Sequence, residues 1–303
     1  MNSRFRGLWP AFLTPFDGDG KPSLAVTQQL TELFIRQDLD GLYVTGSTGQ
    51  WPLLTFAERC AIAECVVKSA KGRVPIMIHV GAASTEEAVA LARHAKRVGA
   101  DAVSAVTPTY YAHSADVIFG HYRAIGAAAE LPLFVYHLSQ VNQLTLNPQD
   151  YVRRLLELPN IAGMKITDRD LYMFGLMHAH AGDGLQLFSG ADEVMCHAVL
   201  CGAVGAIGTF YNVWGPACRK ARLAMVAGDV AGSAGFMLRF QQAIAAVLQS
   251  GSIWTFLRQA MRIKYDLDIG MPRAPLGSAD KPWADDEVRR VIALVDDSAS
   301  RAT

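Results

Sequence analysis

One lysine of this sequence stands where a lysine is costly to place. Lys165 lies within Ile161–Thr167, an otherwise apolar stretch with the composition of a buried strand. Because a buried ammonium group is expensive without a partner, such lysines are rare unless they are used. Burial favours the neutral amine, which can attack a ketone and form an imine. Lys165 is therefore the candidate nucleophile; pairing with a buried acid or extension to the surface are the structural alternatives.

Polar residues follow two other apolar runs. The segment Gly46–Gln50 sets Ser47 and Thr48 between glycines, a pattern that allows backbone N–H groups to point at an anion, although an ordinary turn is also compatible. Asp192 and Glu193 follow a later run. These carboxylates could bind hydroxyl groups or a metal, or could complement the N-terminus of a helix.

Tyrosines and a glycine-rich run complete the candidates. Tyr111 follows the fourth apolar run and Tyr136 ends the fifth. Packing with a single hydrogen bond is the ordinary role of such a tyrosine. The glycines of Gly205–Thr209 would allow a ligand to approach the backbone near Ile207 and Thr209.

Composition excludes several classes of function. The 28 basic and 28 acidic residues cancel, and no basic stripe with interleaved aromatic residues is present, so nucleic acid is not an expected partner. The five cysteines form no C-x-x-C pair, which argues against a disulfide framework and a structural zinc site. We expect reduced cysteines in the core and no metal.

The elements that must position these residues alternate along the chain. Short apolar runs, typical of parallel strands covered on both faces, are separated by helical patterns such as Thr55–Ala70 and Thr85–Val98. The eight predicted strands are Gly7–Thr14, Gly41–Thr45, Pro75–Val80, Ala102–Val106, Leu133–His137, Gly163–Thr167, Gln186–Ser189 and Ala203–Gly208. Eight such units predict an α/β fold of the (β/α)8 TIM-barrel type, with an open doubly wound sheet as the alternative.

No break in composition marks a domain boundary. We therefore predict one domain over residues 1–303, with the barrel core in 1–215 and the last barrel helix plus C-terminal helices in 216–303. The N-terminus lacks a signal-peptide pattern, and the uncharged stretch Ala198–Cys218 contains too many glycines for a membrane helix. A cytoplasmic protein is expected.

Taken together, these segments resemble the N-acetylneuraminate lyase and dihydrodipicolinate synthase family of pyruvate-dependent aldolases. The resemblance extends from Gly7 to about Trp214. It rests on the motifs Gly46-Ser-Thr-Gly, Thr-Pro-x-Tyr-Tyr111, Tyr136, Gly-x-Lys165-x-Thr and Gly-x-Asp-Glu193. It implies a class I aldolase without an external cofactor, acting on pyruvate and an aldehyde or on a keto sugar acid.

The resemblance also implies roles for individual residues. Lys165 would form the imine with pyruvate, and Tyr136 would move a proton with help from the Ser47 hydroxyl. Backbone N–H groups of Ser47 and Thr48 would hold the pyruvate carboxylate. Tyr111, or Tyr110 as the alternative, would reach the active site of a neighbouring subunit, which implies a dimer or a tetramer. The remaining substrate contacts would come from Thr167, Gly190, Asp192, Glu193, Ile207 and Thr209.

Two features favour the lyase branch of this family. The synthase branch carries an arginine shortly after the tyrosine of strand five, whereas the segment Tyr136–Gln143 has none. Gly190, Asp192 and Glu193 match the lyase branch, in which such residues bind the polyhydroxy part of sialic acid.

Three residues depart from the family pattern. Gln50, Ser139 and Thr209 stand where glutamate, proline and serine are usual. We expect an uncharged Gln50 to loosen the network around its loop, and the methyl group of Thr209 to narrow the sugar site.

Three functions remain open at this point. The first is an aldolase for sialic acid or a related 2-keto-3-deoxy sugar acid. The second is another reaction of the same imine, either a synthase-like condensation or dehydration of a keto-deoxy sugar acid. The third is a non-catalytic sugar-acid binder, which the joint presence of Lys165, Tyr136 and Tyr111 disfavours.

Overall fold

A computed structural model describes residues 4–139 and 146–300 of the chain. Its strands are β1 (Gly7–Pro10), β2 (Leu42–Val44), β3 (Ile76–His79), β4 (Ala102–Val106), β5 (Leu133–Leu138), β6 (Ile161–Thr167), β7 (Gln186–Ser189) and β8 (Gly205–Gly208). All eight predicted strands are therefore present, most of them with slightly different ends.

The strands form one parallel sheet that closes on itself. Their order is β1-β8-β7-β6-β5-β4-β3-β2. Ala11 and Tyr43 join the two outer strands in a parallel bridge, and Phe12 N donates to Tyr43 O at 2.8 Å. This closure confirms the TIM-barrel prediction and excludes the open doubly wound sheet. It also explains why β1 stops at Pro10, because the chain beyond it crosses from β8 to β2.

Helices cover the outside of the barrel and continue beyond it. They are α1 (Leu24–Arg36), α2 (Phe56–Ala70), α3 (Thr85–Val98), α4 (Ala115–Ala129), α5 (Pro148–Leu156), α6 (Leu171–Ala181), α7 (His197–Leu200), α8 (Tyr211–Val226), α9 (Val230–Gln249), α10 (Ile253–Tyr265) and α11 (Asp285–Ser300). The C-terminal helical extension is therefore as predicted, while the single-domain division of residues 1–303 stays a prediction.

Local sequence explains where the helices start. Thr55 caps α2 in a reciprocal capping box with Glu58, so the helix starts one residue later than predicted. Ser84 caps α3 by accepting from Glu87 N, and the acidic first turn complements the helix dipole. Because α2 follows β2 and α3 follows β3, both caps lie at the end of the barrel where the βα loops gather.

Two hydrophobic clusters hold the barrel together. The larger one packs the outward side chains of the strands against the helices and extends from Leu8 to Val295. The smaller one fills the barrel interior with inward side chains, among them Trp9, Phe134 and Phe188. These side chains fill the barrel interior, so a ligand site is expected at the end of the barrel that carries the βα loops.

The cysteines and the uncharged stretch match the predictions only in part. All five cysteines are free, but Cys60, Cys65 and Cys201 are half-buried rather than in the core. The stretch 198–218 contains β8, as expected, but also most of α7 and part of α8. Within the described ranges, no helix is long and apolar enough to span a membrane.

Candidate active site

Lys165 and Tyr136 are cross-strand neighbours. Tyr136 of β5 pairs with Lys165 of β6 in the parallel register, and both side chains are buried. Lys165 Nζ lies 4.3 Å from the ring centroid of Tyr136 and 4.4 Å from that of Tyr43. Throughout residues 4–139 and 146–300, Lys165 has no ion pair. Neither structural alternative, a buried acid partner or extension to the surface, is observed for this lysine.

The environment of Tyr136 makes its phenol more acidic. Thr167 Oγ1 donates to Tyr136 Oη at 3.5 Å, a long contact. Burial alone would raise the pKa of Tyr136, but the charge of Lys165 and hydrogen bonds with Thr167 and Ser47 lower it below the ordinary tyrosine value. A phenol with a lowered pKa beside an amine is suited to proton transfer.

The loop after β2 has the form of an anion site. Within the described ranges, no hydrogen bond uses the backbone N–H groups of Ser47 and Thr48, although the loop is closed by Gln50 N donating to Ser47 O at 2.9 Å. The hydroxyls of Thr48 and Thr209 lie 2.7 Å apart and tie this loop to the end of β8. Two N–H groups without a partner among the described residues could donate to a carboxylate at the barrel mouth.

Gly190 keeps the space beside Lys165 open. A Cβ at this position would lie 2.0 Å from Thr167 Oγ1 and 3.0 Å from Lys165 Cε. Gly190 N also donates to Ile166 O at 2.7 Å, which fixes the end of β7 against β6. The glycine therefore provides access to the amine.

Asp192 and Glu193 have different surroundings despite being adjacent. Asp192 is 5% exposed, and its Oδ2 accepts from Phe210 N at 2.7 Å. Burial raises the pKa of the Asp192 carboxyl to about 7, although its hydrogen bond from Phe210 acts in the opposite direction. Glu193 pairs instead with Arg169, whose Nε lies 2.5 Å from its Oε1. Both residues lie in a short 3-10 turn and not at the start of a long helix.

A cavity of about 530 Å³ continues outward from this cluster. Its polar lining consists of Ser139, Thr167, Asp168, Arg169, Gly190, Asp192, Glu193 and Thr209. Its apolar wall is built from Phe210 together with Ile244, Leu248 and Ile253 of α9 and α10. This volume is within the usual range for small-molecule sites. Thr167 and Gly190 connect the cavity to Lys165, so a ligand held at the amine could extend into it.

Two predicted site residues lie apart from this cluster. Tyr111 is 72% exposed on the loop after β4, and its ring packs against Tyr110 and His113. The side chain of Ile207 is buried in the interior cluster of the barrel. A contact between Ile207 and substrate could therefore come only from its backbone, and both roles stay predictions.

The structure shows the contacts of Gln50, Ser139 and Thr209, the three residues that depart from the family pattern. The side-chain oxygen of Gln50 accepts from Arg273 N at 3.0 Å, while the looser loop expected from the loss of the glutamate charge stays a prediction. Thr209 lines the cavity and bonds to Thr48. Ser139 Oγ donates to Thr167 O at 3.4 Å. The rest of the segment used against the synthase branch, residues 140–143, lies outside the described residues.

Sequence reasoning missed four residues of the site. Tyr43 forms the second ring over Lys165, and Arg169 holds Glu193 at the cavity mouth. His79 and Arg59 are buried beneath the loop after β2, where Arg59 donates to His79 O at 2.8 Å. The only signal for His79 was its position at the end of a buried strand. Within the described residues, no group of three histidine, cysteine or acidic side chains could hold a metal.

Comparison with known proteins agrees with this geometry. The family described as "Dihydrodipicolinate synthetase family" matches residues 4–293. The N-acetylneuraminate lyase of Citrobacter koseri is 36% identical over 285 residues, which cover 93% of this chain and 95% of that protein. The Escherichia coli protein of the same name is 34% identical over 284 residues, with 93% of this chain and 95% of the relative covered.

Solved structures give the same result. The wild-type sialic acid aldolase of Ruminococcus gnavus superposes with a TM-score of 0.92 at 25% identity, covering 98% of this chain and 99% of the other. The N-acetylneuraminate lyase of Mycoplasma synoviae gives a TM-score of 0.86 at 30% identity, with 98% of both chains covered. The predicted resemblance is confirmed, and the chain belongs to the dihydrodipicolinate synthetase family.

Proposed function

We propose that the protein is a class I aldolase that cleaves N-acetylneuraminate, or a related 2-keto-3-deoxy sugar acid, to pyruvate and an aldehyde. The observation that carries this proposal is the buried Lys165, which lies between the rings of Tyr43 and Tyr136 and has no ion pair among the described residues. The relatives named N-acetylneuraminate lyase, which this chain matches over 93% of its length, supply the substrate class.

The reaction begins at the keto group of the sugar acid. The Lys165 amine attacks the C2 carbonyl to form a carbinolamine. Its hydroxyl leaves as water by taking the proton of the Tyr136 phenol, which gives a protonated imine and an ionised Tyr136. The Tyr136 oxygen, in its ionised form, takes the proton of the C4 hydroxyl while the C3–C4 bond breaks. The electron pair of that bond flows into the imine, so the products are an aldehyde and an enamine. Protonation at C3 and hydrolysis then release pyruvate and restore Lys165.

The other residues bind and orient the substrate. The Ser47 and Thr48 N–H groups hold the carboxylate, and the Ser47 hydroxyl supports the proton transfer at Tyr136. Thr167 and the backbone at Gly190 line the path to the cavity. Because the protonated imine is itself the electron sink, the reaction needs neither a metal nor an external cofactor.

The polyhydroxy tail occupies the cavity of about 530 Å³. Glu193 and Thr209 lie on its polar side and accept hydrogen bonds from hydroxyl groups. Asp192 contributes mainly by holding the backbone of Phe210, because its buried carboxylate already accepts that N–H. Ile207 contributes through its backbone.

The enzyme acts in the cytoplasm as a homo-oligomer, a dimer or a tetramer. Support comes from Tyr111, which is 72% exposed at the barrel mouth although tyrosine usually buries its ring. In the assembly its hydroxyl reaches the site of the neighbouring subunit.

The test is a panel of 2-keto-3-deoxy acids that includes N-acetylneuraminate and shorter homologues. We expect pyruvate and the matching aldehyde in equal amounts, with the nine-carbon substrate turned over best. A product that keeps the whole carbon chain would identify a dehydratase instead. Binding without any product would identify a sugar-acid binder.

A further inference from the structure

A strained residue precedes the loop after β2. Thr45 adopts a φ of 55° and is almost completely buried. A β-branched residue rarely takes this left-handed conformation, because its side chain crowds the backbone. Such outliers persist only where their surroundings impose them, and they gather at functional sites. The residues that follow Thr45 are those of the predicted anion site.

Two polar contacts join His79 to Thr45. Its Nδ1 lies 3.2 Å from Thr45 O, and the Thr45 Oγ1 proton is shared between His79 O at 3.0 Å and Val44 O at 2.7 Å. Val106 N donates to His79 Nε2 at 3.3 Å, so Nε2 is an acceptor and Nδ1 carries the proton. The imidazole is therefore neutral, and its Nδ1–H points at the carbonyl of Thr45.

His79 is itself held in place. Arg59 donates to His79 O at 2.8 Å and to Gly81 O at 2.9 Å, and its guanidinium stacks on Trp51 at 5.3 Å. Burial, with the charges of Arg59 and Lys165 nearby, keeps the pKa of His79 well below its usual value. The contacts of His79 with Thr45 form a clamp on the Thr45 backbone. Because His79 is itself held by Arg59, the clamp is rigid, and its imidazole remains uncharged at neutral pH.

We propose that His79 is a positioning residue, which holds Thr45 in its left-handed conformation and thereby fixes the N–H groups of Ser47 and Thr48 for the substrate carboxylate. The reason is geometric. The direction of an N–H group follows from the backbone angles before it, so a change of φ at Thr45 would turn the whole loop. This inference rests on the proposed function, because it assumes that the loop binds a carboxylate.

Two substitutions of His79 separate the clamp from simple packing. In His79→Asn the amide nitrogen can occupy the place of Nδ1 and still donate to Thr45 O. In His79→Gln the amide can reach the place of Nε2 and still accept from Val106 N, but the donor to Thr45 is lost. Both variants remove the ring, so a purely structural role would make them similar.

The readout is the pyruvate concentration that gives half-maximal trapping by borohydride. We expect His79→Gln to raise it by about tenfold or more, because a residue in a strained conformation costs on that scale to hold. We expect His79→Asn to stay within about threefold of the unaltered chain. His121→Gln is the matched control, since His121 is also buried and bonds to Thr85 at 2.9 Å, away from the loop.

Thr45→Gly tests the strain itself. Glycine adopts a positive φ without steric cost, so the double variant Thr45→Gly/His79→Gln should recover most of the lost pyruvate affinity. If His79→Gln does not fold, the same double variant decides: a folded protein with near-normal pyruvate trapping supports the clamp, and an unfolded or non-binding one overturns it.

The outcomes distinguish this inference from the proposed function. If His79→Gln, His79→Asn and the unaltered chain all reach half-maximal trapping at the same pyruvate concentration, the role of His79 is overturned and the proposed function is not. A similar rise in both His79 variants would also overturn it, since packing would then explain the loss. Failure of the unaltered chain to trap pyruvate would instead reject the proposed function.

Discussion

Replacing Gly190 with alanine would place a methyl group among the groups proposed to react. The added carbon would lie 2.0 Å from Thr167 Oγ1, 3.0 Å from Lys165 Cε and 3.1 Å from Ile166 O. The first contact can be relieved by rotation of Thr167, but this removes its hydrogen bond to Tyr136. The third involves the backbone of β6, which cannot move without shifting Lys165.

The magnitude follows from these distances. A displacement of about 1 Å at a reacting group costs on the order of 100-fold in rate. Overpacking of this kind lowers the free energy of unfolding by about 1–3 kcal/mol. We therefore expect Gly190→Ala to fold and to lose about two orders of magnitude in kcat/KM for the sugar acid.

A second glycine supplies the control. In Gly175→Ala the new methyl group meets no atom within 4 Å, and Gly175 lies inside α6. This variant should gain about 0.5–1 kcal/mol in stability, because alanine favours a helix interior, and should keep full activity. Steady-state kinetics and urea unfolding measure both variants. If the activity of Gly190→Ala stays within a few-fold of that of the unaltered chain, the role given to the open space beside Lys165 is refuted.

Three further predictions concern the acid and base groups. Tyr136→Phe should lower kcat by about 100- to 10,000-fold with little change in pyruvate trapping, and weak trapping with normal turnover would make Tyr136 only a binding residue. Glu193→Gln should reduce kcat/KM for a nine-carbon sugar acid by about tenfold or more and leave a short keto acid nearly unaffected, whereas equal losses would make Glu193 structural. Because the pKa of Asp192 is raised to about 7 from 3.8, its contribution to stability is complete below pH 3.8 and falls as the pH rises towards 7. Asp192→Asn should therefore gain free energy of unfolding relative to the unaltered chain, by up to about 1.4 kcal/mol per pH unit over this window. Urea unfolding at a series of pH values measures this. A difference in free energy of unfolding that does not change with pH would contradict the burial of the Asp192 charge.

The sequence was sufficient to predict the barrel fold and the proximity of Tyr136 and Lys165 at its centre. Eight apolar runs of strand length, separated by capped helices, permit few arrangements, and parallel strands bring their C-terminal ends together. Tyr136 and Lys165 each stand near the end of such a run, so their proximity followed from the fold. Strand ends were less predictable, because the ladder at β1 ends where the barrel closes.

The surroundings of Asp192 and Gln50 could not be read from the sequence. Whether the Asp192 carboxylate faces the cavity or the backbone of Phe210 depends on a 3-10 turn of three residues. Gln50 finds its partner in Arg273, 223 positions away. Local sequence patterns did not predict either contact, and the contact of Gln50 forms only when the C-terminal segment packs against the barrel.

His79 shows a different limit. Its neighbours in sequence are apolar, so a polar residue at the end of β3 has no evident purpose until the fold sets it beside Thr45. The conformation of Thr45 is equally hidden, because threonine gives no signal for a left-handed backbone. Signals of this kind appear only in the structure.

The most direct test of the proposed chemistry is the site of imine formation. The protein is incubated with pyruvate and borohydride, digested, and its peptides are mapped by mass spectrometry, with Lys165→Ala as the control. We expect a reduced pyruvyl adduct on Lys165 and none in the control. An adduct on Lys68, Lys71, Lys96 or Lys264 in place of Lys165, or no adduct at all, would contradict the assignment of Lys165 as the nucleophile.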